Sequence, residues 1–159
     1  MTTMTAVAFH FGVASKQDYT CRLLRKAVAS GAKLIVLADA AQLEQLDHAL
    51  WALSPVDFVA HCVAGAPAGV RSRSPAVLAT HTSQVPDPEL RQILVNTTDT
   101  VPEGFEQFKR LIEIVSMQEP DRLLARQRWR HYASKGHPIE KHEVSKGTPT
   151  HADDTQAPG

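Results

Sequence analysis

The sequence predicts an α/β fold, one layer of mostly parallel sheet with helices on both faces. Three observations carry that prediction. Short apolar runs rich in β-formers alternate with segments of helical apolar spacing from residue 5 to about residue 136. The run at 33–37, KLIVL, is almost continuously aliphatic, the pattern of a central parallel strand covered on each side. Strand, helix and strand all fit within the first 37 residues, a βαβ unit expected to be right-handed.

The first strand is residues 5–11, TAVAFHF, ended by Gly12. Ser15 with Asp18 three residues on forms a capping box, with Asp where Glu or Gln is usual. The helix it opens places Thr20, Leu23, Leu24, Ala27 and Val28 on one face, and Gly31 ends it. After the strand at 33–37, Asp39 caps a second helix and Gln42 completes the box. Leu43, Leu46, Ala49, Leu50 and Leu53 form its apolar face, as far as Ser54 and Pro55. Residues 56–63 form a short extended segment, and 65–75, GAPAGVRSRSP, a flexible loop carrying Arg71 and Arg73. A third strand covers 76–80, a loop with two prolines 81–88, and a fourth strand 92–97. Pro102 opens a short helix that buries Phe105 and Phe108, and a fifth strand follows at 111–115. Past Gly136 the apolar pattern decays, and the end that carries His137 and His142 around Pro138 is expected to fray. Residues 1–144 are expected to form a single domain, and 145–159 a disordered polar tail with no aliphatic or aromatic residue larger than Ala.

The 159 residues suffice for one domain with a real core. Lys plus Arg and Asp plus Glu are 17 each, so the formal charge is +0. That balance argues against coating nucleic acid, which needs a basic excess. Any charge-driven binding must come from a local patch. Cys21 and Cys62 lie far apart, without metal-like spacing, and read as reduced thiols. No apolar run is long enough for a membrane span, and no signal-peptide pattern opens the sequence, so the cytoplasm is the expected compartment.

Catalytic signatures are absent from the sequence. The eight histidines, His10, His48, His61, His81, His131, His137, His142 and His151, show no ligand-pair spacing, and scattered surface or half-buried positions are expected for them. There is no GxSxG elbow. The turn after the first strand, Gly12 to Lys16, has neither GxGxxG nor a phosphate loop, so no nucleotide, metal or other cofactor is expected. The pattern favours a binding module over an enzyme.

Two surfaces suit binding. Residues 119–136, EPDRLLARQRWRHYASKG, form the last helix, with Pro120 in the first turn, acids at its start and Gly136 as its stop. At about 100° per residue, Arg122, Arg126 and Arg130 share one side, with Trp129 at its edge. Leu124, Ala125 and Tyr132 occupy the neighbouring arc. A row of guanidiniums beside an aromatic suits a peptide with carboxylates and an apolar side chain. The same spacing also describes a solvated basic face with a core Trp. The second surface is the end of the second helix, where Trp51 and, after a proline turn, Phe58 are either interface anchors or core.

Two motifs at this separation resemble a known family. LDHALWALSPVDFVAH is similar to the LDxxLWxxxxxxFxPH segment of the chi subunit of the bacterial DNA polymerase III holoenzyme. RLLARQRWRHYASKG resembles that family's C-terminal helix, and the order of elements agrees from Thr5 to about Gly136. The resemblance implies a Rossmann-like three-layer α/β fold without a nucleotide site and a noncatalytic accessory subunit of the polymerase. It implies two partners, the psi subunit, which tethers chi to the clamp loader, and the acidic C-terminal tail of single-stranded DNA-binding protein. By position, tail binding falls on Arg126, Trp129, Arg130 and Val115, with Arg122 beside them, and psi binding on Trp51 and Phe58, with Leu50 and Pro55 around them. Some members lend the psi surface to a repair helicase. A further basic residue of the family's helix falls at Ala133, and Lys135 is the nearest substitute. The competing expectations are a small Rossmann-like nucleotide-binding enzyme and direct DNA binding through Arg71, Arg73 and the last helix.

Overall fold

The computed structural model describes residues 4–52 and 60–144. Strand β1 (Ala6–Val13) leads through helix α1 (Lys16–Ala29) to β2 (Leu34–Leu37) and helix α2 (Ala40–Trp51). There follow β3 (His61–Val63), the short helix α3 (Ala68–Arg73), β4 (Ala76–Ala79), β5 (Ile93–Asn96), β6 (Arg110–Ser116), helix α4 (Glu119–Ser134) and β7 (Ile139–Glu143). These strands make one sheet in the order β3-β4-β2-β5-β6-β1-β7, and every pairing is parallel. The fold is the Rossmann-like three-layer α/β architecture that the sequence predicts.

Local chemistry starts the helices where expected. The Ser15 hydroxyl accepts from the Asp18 N–H at 3.2 Å, and the Asp39 carboxylate from the Gln42 N–H at 3.1 Å. Each cap satisfies an amide that has no partner inside its helix. The central strands alternate their side chains between two cores. Leu34, Val36, Leu78 and Val95 pack with Leu24 of α1 and with Leu46 and Leu50 of α2. Ile35, Leu37, Val77 and Leu94 face the other way, toward Phe105, Phe108, Ala125 and Tyr132. Complete burial of such side chains stabilises by about 1.5–3 kcal/mol each before entropy is counted. Phe105 and Phe108 are buried as predicted, around a 3₁₀ turn at Phe105–Gln107.

Three expectations need correction. The stretch 65–75 is not all loop: it contains α3, and Arg71 is tied down by Asp87 at 3.1 Å and by the Ala66 carbonyl at 2.9 Å. The end past Gly136 does not fray. The chain turns back as β7 and adds to β1, with the Val7 N–H donating to the Pro138 carbonyl at 2.9 Å. The histidines are not all at surface or half-buried positions: His10, His61 and His137 are buried. His137 Nδ1 lies 3.0 Å from the Thr5 carbonyl, inside the end expected to fray. Residues 56–59 of the segment 56–63 lie outside the described residues, as does the tail 145–159.

Candidate functional site

Helix α4 is fixed on the sheet by a buried polar cluster. Glu113 on β6 is fully buried, and the Arg128 Nε donates to it at 3.0 Å. The Tyr132 hydroxyl makes a close hydrogen bond to the same carboxylate, and the Asn96 amide of β5 donates to it at 3.0 Å. The Arg128 Nη1 also donates to the Asp99 carbonyl at 2.9 Å. Burial pushes the Glu113 carboxyl above its usual range, against the pull of Arg128 and of its hydrogen bonds. Burial likewise pushes the Tyr132 phenol up, helped by the adjacent Glu113. At the start of α4, Asp121 accepts from the Ser116 N–H at 2.8 Å and pairs with Lys16 at 3.1 Å. Burial alone would raise the Asp121 carboxyl, but Ser116 and Lys16 outweigh it and hold it low.

With Ala125, Arg128 and Tyr132 turned inward, the flank of α4 carrying Arg122, Arg126, Trp129 and Arg130 overhangs the edge of the sheet. Beneath it lies a cleft of about 640 Å³. Its floor is Phe9 and Phe11 of β1 with Val115 of β6; its far wall is Lys141 and Glu143 of β7. The five residues expected for tail binding thus line one cavity. The Trp129 ring packs on Phe9, centroids 4.9 Å apart. Val115 is buried and offers apolar floor only. Arg122 lies 3.8 Å from the exposed Glu119, a weak contact. Arg126 and Arg130 are exposed and form no ion pair among the described residues. The cleft therefore offers unneutralised guanidiniums above an aromatic floor, a fit for carboxylates next to an apolar side chain.

The second expected surface lies at the opposite end of the sheet. Trp51, the last residue of α2, is 60% exposed, and its ring stands 5.1 Å from that of His61 on β3. The His61 Nε2 is 2.9 Å from the Asp47 carboxylate, joining α2 to β3. Leu50 is wholly buried in the core on that side of the sheet and presents no surface. Pro55 and Phe58 lie outside the described residues.

At the carboxyl ends of the strands, where a doubly wound fold takes nucleotides, there is a crevice of about 470 Å³. Lys16, the one Lys or Arg among the residues lining it, already donates to the Thr97 carbonyl at 3.1 Å and pairs with Asp121. No group of three or more metal-ligating side chains occurs among the described residues. No helix there is long and apolar enough to cross a membrane.

Sequence reasoning missed Arg128, Glu113 and the β7 wall. The one signal for the cluster was an acid in the middle of the apolar run LIEIV. Comparison with known proteins bears on the family. A family model described as "DNA polymerase III chi subunit, HolC" matches residues 4–140. The chain is 29% identical over 133 residues to the DNA polymerase III subunit chi of Pseudomonas aeruginosa, covering 83% of this chain and 89% of that protein. It is 28% identical over 126 residues to the subunit of the same name from Escherichia coli K12, covering 79% and 83%. With the family model spanning most of its length, the chain belongs to the DNA polymerase III chi subunit family.

Proposed function

We propose that this chi-family protein is a noncatalytic adaptor of the replicative polymerase in the cytoplasm. One surface takes the acidic C-terminal tail of single-stranded DNA-binding protein; the other takes the psi subunit and, through it, the clamp loader. The observation that supports this reading most is the cleft under α4, where Arg122, Arg126 and Arg130 stand over Phe9, Phe11 and Val115 beside Trp129. An acidic tail with an apolar end matches both halves of that lining. The psi surface rests on Trp51, with Pro55 and Phe58 implied by the motif they belong to.

Calorimetric titration with a synthetic peptide of that acidic tail tests the reading. We expect one-to-one, micromolar binding that weakens with salt, because the contacts are exposed charge pairs. Arg126→Ala should abolish most of it and leave psi binding intact, since the two surfaces share no residue. Absence of binding at low salt, or unaltered binding by Arg126→Ala, would sink the assignment of the cleft.

A further inference from the structure

We infer that β7 is the second wall of the peptide cleft, with Lys141 contacting a ligand carboxylate across from the α4 arginines and Glu143 limiting where acids can sit. This rests on the cleft being the site for an acidic peptide. The register supports it. Lys141 pairs with Phe9 and Glu143 with Phe11, so both side chains fall on the sheet face that α4 covers. The Lys141 ammonium stands 5.5 Å from the centre of the Phe11 ring, a cation–π contact that holds the charge over the cleft floor. It forms no ion pair among the described residues. Glu143, also exposed and without an ion pair there, is the one carboxylate among the residues lining this cavity.

The other candidate for an additional cation is Lys135, and the structure turns it away. Its ammonium lies 3.5 Å from the Glu106 carboxylate, and it does not line the cleft. Lys141 adds a cation to the cleft from a second element. A peptide held by α4 alone would be gripped on one side; with Lys141 it is held between two walls, which fixes its lateral position as well as its affinity.

The test is titration of the full chain with the acidic peptide and with peptides in which each acidic residue is replaced in turn by its amide. Lys141→Ala should weaken binding by about five-fold, and the loss should vanish for one of the amide peptides, which identifies the partner carboxylate. Glu143→Gln should tighten binding by about two- to three-fold. Both side chains are exposed, and unchanged thermal melting would show that the fold is intact. If Arg126→Ala loses binding while Lys141→Ala and Glu143→Gln match the parent protein, β7 is not a wall of the site, although the cleft assignment stands. If Arg126→Ala also matches the parent, the cleft assignment fails, and this inference with it.

Discussion

Glu113 and Arg128 show how one residue pair sets the face that a helix presents. The carboxylate lies in a strand flanked by Ile112 and Ile114, and the guanidinium is 2% exposed. Two charges so deeply buried are tolerable only as partners, because desolvation costs each of them several kcal/mol. Glu113→Leu should therefore destabilise the protein by about 3–5 kcal/mol, since it strands Arg128 as an unpaired buried charge. Adding Arg128→Met should recover more than half of that loss, read as the urea midpoint at constant slope. If the double variant is no more stable than the single one, the pair is not the source of the loss. The same pair explains a limit of sequence reading. Arg122, Arg126 and Arg130 could be placed together because their spacing of four is a property of any helix. Arg128 lies two residues from Arg126 and Arg130, yet its burial depends on an acid 15 residues away on another element. No local periodicity encodes that dependence.

At the scale of elements, the strands between residues 5 and 116 were legible because parallel strands buried on both faces are apolar throughout. β7 was not. Its sequence, IEKHE, is exposed except for Ile139, and its charges are those of an edge strand guarded against further pairing. Gly136, with φ of +83°, ends α4 as predicted, but the chain then returns to β1 instead of fraying. Gly12, at φ +77°, allows the corresponding close approach on the other side: a Cβ there would meet the Val144 carbonyl at 3.2 Å. Where β1, β7 and α1 meet, His10 is buried against His142, ring centroids 4.8 Å apart, and bonds Tyr19 at 2.6 Å. Burial, helped by His142 and Arg110, lowers its pKa from 6.5 to about 4. The folded state therefore favours neutral His10, while the unfolded chain takes up a proton near pH 6.5. Its contribution is fully present above pH 6.5 and is lost as pH falls toward 4, by about 3 kcal/mol at most. His10→Gln should flatten stability against pH across that window; an unchanged slope would assign the acid sensitivity to other groups.

Across the whole molecule, the two proposed surfaces sit at opposite ends of one sheet. Trp51 stands over β3, the first strand in the spatial order, and the cleft spans β6, β1 and β7, the last three. Six strand spacings of about 4.8 Å separate the two edge strands, roughly 29 Å in all. The strands between them are close-packed on both faces, with Ile35, Val36, Val77, Leu94 and Val95 wholly buried. Coupling two sites requires an element with two arrangements that each ligand stabilises differently. A continuous, fully paired sheet supplies no such element along this path. The two partners should therefore bind independently, and the protein should act as a fixed spacer, not a switch. Titrating psi into protein saturated with the acidic peptide should give the same Kd as without peptide, within about 0.5 kcal/mol of coupling. Joined this way, a tail-bound protein raises the local concentration of its second partner by tethering alone, without any change in intrinsic affinity. A several-fold shift in psi affinity on saturation would contradict the spacer reading and place a mobile element between the two ends.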